Sequence, residues 1–327
     1  RTQAGVMPLS RLSLLLALVG CDAFLSPSPF VVPASLLASP RGACIAHAPP
    51  SGAVRMAAAT QEAEGIKQKI LQVAALTDRG QRLNTLVADT YQEKRTQIAD
   101  LATKLEPMSK DITEEALKGE WELAYADVEL FRSSPFFLAI ERALDTSPGI
   151  PWLGKALGIT DPTKKSAMFF KLHQLQVLSW GASTVGRIGQ RIDFEKGEFE
   201  SEFDTVIFGL TVIPILGWFK LLPTFGGRVV TLADALKLEG NEMTMELAKT
   251  QVVTCPGVKR LPFLDGIFMD KWYPVREVWK LLPWNGGPFD GRAPECAVTV
   301  TYVDETMRLT KDMSGALFVY TRPVEGV

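Results

Sequence analysis

The sequence predicts a mainly β protein with N-terminal helices: an antiparallel barrel of about eight or nine strands between Glu120 and Arg322. Three observations carry this expectation. After Gly119, apolar residues recur at every second position in short runs. Turn signals of two or a few residues join several of those runs as hairpins. Strand-like and helix-like segments do not alternate, which argues against a parallel, doubly wound sheet. An antiparallel meander of this length has edges to protect, and closure into a barrel removes them.

Residues 1–56 read as an address and are expected to be disordered. Arg11 precedes Leu12 to Gly20, an uncharged, leucine-rich run too short to span a bilayer but suited to the core of a secretory signal. Asp22-Ala23-Phe24 then offers a small residue before a cleavage point. From Phe24 to Met56 the chain is rich in Ser, Ala and Pro, carries Arg41 and Arg55, and has no acidic residue, which is transit-peptide chemistry. A signal followed by a transit region resembles the two-part leaders of plastids with extra surrounding membranes, so the expected location is a complex plastid.

Four of the 35 basic and one of the 37 acidic residues lie in that leader, leaving the rest of the chain with a net charge of −5. An acidic body with no basic block gives nucleic acid little to hold. The same body keeps two cysteines, Cys255 and Cys296, and one histidine, His173. These are too few for a zinc site of the Cys/His type. Cys255 and Cys296 either pair across a Pro-rich loop or remain two thiols.

Residues 57–118 form the expected helical segment. Ile66, Ile70, Val73 and Leu76, then Ile98, Leu101 and Leu105, fall at helical spacing, with Gly80 dividing two helices and Glu106-Pro107 ending the second. The barrel is expected over 119–327. Trp121 and Leu123 alternate with Glu120, Glu122 and Ala124 in a first strand. Ser133-Ser134-Pro135 is a start signal for a helix over Phe131 to Leu144, placed to close a barrel end. Met168 to Trp180 reads as a strand with a bulge near His173 and Gln174. Ile188, Ile192 and Phe194 lead through Lys196-Gly197 to Phe199 and Phe203. Val230 to Leu238 and Met243 to Leu247 flank Gly240-Asn241, a second hairpin.

Two insertions interrupt this rhythm, at 205–225 and 255–295. Thr205 to Phe219 is an uncharged apolar run of fifteen residues, read as a buried strand leading into an apolar loop or as a rim that docks on a membrane. Cys255 to Glu295 carries six prolines and many aromatics. Such a loop suits a barrel mouth, a partner surface or a lipid surface. The contact candidates are Trp218, Phe219, Trp272, Tyr273, Trp279 and Trp284.

The closing segment, Ala297 to Arg322, reads as three short antiparallel strands: Val298, Val300 and Tyr302 alternate with Thr299 and Thr301, Met307 and Leu309 flank Arg308, and Ala316 to Tyr320 follow a turn. Arg308 points into a cavity or lies on the wet face.

Leu117-Lys118-Gly119-Glu120-Trp121-Glu122-Leu123-Ala124-Tyr125 resembles the opening strand of the plastid lipid-associated proteins, or fibrillins. Tyr302, Asp304, Glu305, Arg308, Gly315, Phe318 and Val319 match the pattern of that family's ending. Ala74 to Gly80 is similar to its N-terminal helix end, and Phe131 to Phe137 to a segment of one of its subgroups. The resemblance implies a lipocalin-like barrel without catalytic activity, catalytic residues, cofactor or metal. It implies that the protein binds or sequesters carotenoids, quinones or acyl lipids at thylakoids or plastoglobules, on a peripheral membrane or lipid-droplet surface. The expected ligand contacts are Trp121, Tyr125, Arg308, Phe318 and Tyr320, with Arg308 and either Tyr320 or Tyr125 clamping a carboxylate; Trp121 reads more simply as a plug at the closed end. Equally, Asp304 and Arg308 could pair to brace the strand turn. The rival classes are a subunit docking on a photosynthetic or biosynthetic complex and an enzyme using His173 as a base.

Overall fold

The computed structural model describes residues 51–81, 88–145, 151–156, 164–171, 184–207, 212–213, 219–220, 225–254, 269–279 and 293–324. Its strands are β1 (Gly119–Ala126), β2 (Thr184–Asp193), β3 (Glu198–Ile207), β4 (Val212–Ile213), β5 (Phe219–Lys220), β6 (Phe225–Glu239), β7 (Glu242–Val253), β8 (Trp272–Tyr273), β9 (Glu295–Val303), β10 (Met307–Lys311) and β11 (Leu317–Thr321). Eight of them close into an antiparallel barrel in the order β1-β2-β3-β6-β7-β9-β10-β11, with β11 returning to β1. The short β8 adds to the length of β7 that runs beyond β9, while β4 and β5 pair with each other.

Two helices precede the barrel, α1 (Ser51–Leu76) and α2 (Ala88–Leu105). Helix α1 therefore begins inside the stretch that the sequence assigns to the leader. Its turn is held by side chains: Thr77 Oγ1 donates to the carbonyl of Val73 at 3.0 Å and accepts from the amide of Gly80 at 3.2 Å. Asp78, Arg79 and Gly80 all have positive φ. Gly80 is required there twice over, since its φ is 88° and a Cβ would sit 1.9 Å from the carbonyl oxygen of Ala126. Arg79 then reaches the carbonyls of Val185 and Gly186 on β2 at 2.9 and 2.7 Å.

The helices cover the outer face of β1, β11, β10 and β9. Ile70, Val73, Ile98, Leu101 and Leu105 form one apolar cluster with Met307, Leu309, Leu317 and Val319. Strands β10 and β11 are consequently buried on both faces, Met307 and Leu309 outward against the helices, Arg308 and Thr310 inward.

Beneath the helices, simple alternation fails at two places with one consequence. The register shifts between Leu123 and Tyr125 in β1 and between Leu309 and Thr310 opposite β9. Each bulge sends a tyrosine outward. Tyr125 and Tyr302 sit in the outer cluster, whereas Trp121, Leu123, Ala126, Val298 and Val300 sit in the inner one. Each tyrosine also donates to an aspartate two residues on, Tyr125 to Asp127 at 2.6 Å and Tyr302 to Asp304 at 2.5 Å.

A short 3-10 turn (Leu130–Ser133) leads into helix α4 (Pro135–Asp145), which is the fourth after the brief α3 (Glu114–Leu117). The turn packs on β1 and β2, and α4 packs on β6, β7 and β9, which lie across the ring. The segment thus crosses one end of the barrel, with Leu138, Ala139, Ile140 and Leu144 in the interior cluster. Residues 165–171 are helical, not the expected strand. Ser166 and Phe170, one helical turn apart, are both buried. Phe170 meets Phe137 of α4 and lies 4.1 Å under the guanidinium of Arg132, so packing overrides a short apolar alternation. Gln174, and the rest of that expected strand beyond residue 171, lie outside the described residues.

Candidate functional site

Inside the barrel the chemistry concentrates at Arg308. Its Cα pairs directly with that of Tyr320 on the neighbouring strand, so both side chains enter the interior at one level. The Arg308 side chain is fully buried, 0% exposed. Its guanidinium carbon lies 4.2 Å from the Tyr320 ring centre and 5.1 Å from that of Trp121. Nη2 donates to Oε1 of Gln190 on β2. The Gln190 amide nitrogen in turn donates to the Tyr320 hydroxyl at 3.0 Å and to the carbonyl of Ser133 at 3.2 Å. One glutamine therefore ties the arginine to the turn that begins the plug.

Nε and Nη1 of Arg308 have no acceptor among the described residues. Burial lowers the arginine's pKa to about 10, partly offset by Tyr320. A buried cation with a second arginine, Arg322, nearby and no carboxylate partner among the described residues is costly to desolvate, and ring faces return a small part of that cost. Beside it lies a gap of about 10 Å³, room for about one water, walled by Leu138, Phe199, Met243, Met245 and Phe318 among others.

Trp121 stands at the end of the barrel opposite the plug. Its indole nitrogen donates to the carbonyl of Leu117 at 2.8 Å, and the Arg322 guanidinium stacks 3.7 Å from its ring centre while donating to the carbonyls of Ala116 and Lys118. Trp121 is thus held between two arginines. Tyr125 does not join Arg308: the β1 bulge turns it outward, and the carboxylate of Asp127 takes its hydroxyl. The bracing pair of Asp304 and Arg308 does not form either. Asp304 accepts from Lys67 of α1 at 2.7 Å and from the amides of Thr306 and Met307 at 2.8 Å. Burial alone would raise its carboxyl, but these bonds and the one from Tyr302 outweigh it and hold the pKa at about 2.

Of the expected surface aromatics, Trp272 and Tyr273 are 41% and 37% exposed, with Lys249 over the Trp272 ring at 4.5 Å. Trp279 differs from the expectation: it is 4% exposed and belongs to the interior cluster, because the helix Val275–Trp279 packs on β7. Trp218, Trp284, His173 and Cys255 lie outside the described residues, and of Phe219 only the backbone in β5 is described. Cys296 is a buried free thiol, its pKa pushed up by burial. Among the described residues no group of three or more His, Cys, Asp or Glu could hold a metal, and no helix is long and apolar enough to cross a membrane.

A larger groove, about 240 Å³, lies on the outer face of β1, β2, β3 and β6. Its three arginines are already ion-paired: Arg187 with Glu122 and Glu202, Arg191 with Glu120, Arg228 with Glu202 and Asp204. It reads as a solvated charge ladder of modest energetic worth. Sequence reasoning missed Gln190, yet a signal existed: it lies between Ile188 and Ile192 on the apolar face of its strand. The chain was compared with protein-family models, curated proteins and solved structures, and none matches.

Proposed function

We propose that this is a non-catalytic plastid protein that binds or sequesters hydrophobic molecules, of the carotenoid, quinone or acyl-lipid classes, at thylakoids or plastoglobules. The observation that carries the reading is Arg308, a buried guanidinium with two donors unpaired among the described residues, in a mostly apolar barrel interior. An apolar enclosure with a few convergent polar groups is the usual form of a small-molecule site. Each methylene buried there contributes about 0.8 kcal/mol, so a long ligand needs little polar chemistry. The gap beside Arg308 is about 10 Å³, so a long ligand seated there needs its wall, which includes Leu138 of α4, to yield. The plastid location rests on the two-part leader and on the resemblance to fibrillins.

The test is organic extraction of the full chain, purified from a host whose plastids it reaches, followed by mass spectrometry. A pigment, quinone or acyl lipid in near-stoichiometric amount is expected. A protein that carries no such molecule, and takes none up from mixed plastid lipids, overturns the proposal. A second reading, docking on a membrane complex, has its own support in the exposure of Trp272 and Tyr273 next to Val278, itself 49% exposed. An empty protein that still co-migrates with a thylakoid complex, and no longer does so as Trp272→Ala, would favour it.

A further inference from the structure

We infer that the Arg308 cluster is a carboxylate subsite, so that the ligand of this barrel is a long-chain monocarboxylic acid and not a neutral polyene or quinone. This rests on the reading of the barrel as a binder and narrows it.

Of the other well-placed cations, Arg322 is met by the backbone carbonyls of Ala116, Lys118 and Glu120, and two others are met by carboxylates. Lys67 faces the carboxylates of Asp304 and Glu64, and Arg132 faces those of Glu141 and Asp312. Arg308 is buried more completely than Arg132 and faces no carboxylate among the described residues; its hydrogen-bond acceptor is a neutral amide. An acid is the missing complement. The planar guanidinium offers paired donors that match a carboxylate, and such charge-assisted bonds are among the stronger ones.

The cluster is also held in position before any ligand arrives. Gln190 is fixed by Ser133 and Tyr320, and the Arg308 guanidinium carbon lies 4.2 Å from the Tyr320 ring centre. Arg308, Gln190 and Tyr320 are already positioned, so that the contact with Ser133 is the one given up, which favours binding. The wall around it suits a flexible chain: Met243 and Met245 are adaptable thioethers, and Leu138 belongs to the plug. When α4 withdraws, Leu138 leaves the volume that an acyl chain would fill, and the Ser133 carbonyl leaves Gln190. Ligand head and plug therefore compete for one network.

The experiment titrates the full chain at neutral pH with oleate, oleyl alcohol, methyl oleate and acetate, read by calorimetry. Oleate should bind about tenfold or more tightly than the alcohol or ester, the ratio one charge-assisted hydrogen bond supplies, and acetate should bind far more weakly. Arg308→Met should bring oleate to the level of the alcohol without lowering the thermal midpoint, because an apolar side chain replaces an uncompensated charge. Equal binding of acid, alcohol and ester to the native chain sinks the inference and leaves the binder reading intact. So does acetate binding as tight as oleate, which marks a site for small anions, or a preference for acid that survives in Arg308→Met. If none of the four binds, the inference falls, and the binder reading then stands or falls on the extraction from plastid lipids. The native-chain comparison decides the matter even if the variant does not fold.

Discussion

At the scale of single residues, the two charged groups of the closing segment have opposite fates. Arg308 enters the barrel with two donors unpaired, whereas Asp304 is paired several times over with Lys67, Tyr302 and two backbone amides. Asp304 fastens α1 to the turn between β9 and β10 and has no share in the interior chemistry. Its folded pKa of about 2 is below the ordinary 3.8, so its stabilisation is fully present above pH 3.8 and is lost as pH falls toward 2. That stabilisation is about 2 kcal/mol at neutral pH. Asp304→Asn should therefore lower stability at pH 7 by roughly that amount, and its stability should fall less steeply between pH 4 and pH 2 than that of the native chain, as read by urea melts across pH. Equal acid slopes for the two proteins would contradict this role. The pair was visible in the sequence only as an acidic residue in a strand turn; its partner lies 237 positions away.

At the scale of elements, the helices ahead of the barrel were legible because their apolar spacing is regular, and most strands because theirs is; the helix at 165–171 read as a strand. What escaped was which face of β10 and β11 counts as inside. A strand buried on one side shows alternation; one buried on both sides carries apolar residues on each face, and periodicity cannot rank them. Met307 and Leu309 pack under α1 and α2, which leaves the interior to Arg308. The bulges in β1 and opposite β10 had the same effect, turning Tyr125 and Tyr302 out by one position each. This arrangement makes the helix α1 a structural strap. Ile70→Ala, at a site that is 0% exposed, should cost about 2–5 kcal/mol in chemical denaturation, the usual range for a buried large-to-small change. Leu71→Ala next to it, 38% exposed, should stay within about 0.5 kcal/mol. Similar losses at the two positions would mean that the strap is not docked as described.

For the whole molecule, the proposed binding makes the helix-plugged end the expected way in, because opening the wall of eight closed strands would break a hydrogen-bonded ladder. The plug contributes side chains to the core but no ladder bond. Amide hydrogens in Pro135–Asp145 should accordingly exchange through local opening, faster than those of β1, β10 and β11, and saturating oleate should change the plug's exchange before that of the strands. If α4 exchanges only with global unfolding, no ligand reaches the interior and the binder reading fails. Sequence alone determined that this chain is a mainly antiparallel β protein with helices ahead of it, since period, turns and breaks are local properties. It also singled out Arg308 as the odd residue of the ending, though not where it points. Only the tertiary structure decided that, because the direction of a strand residue depends on bulges and on what covers each face. The joining of the Arg308–Tyr320 hairpin with Gln190 and Ser133 likewise brings together three distant stretches, and no local pattern records an encounter made by closing a barrel.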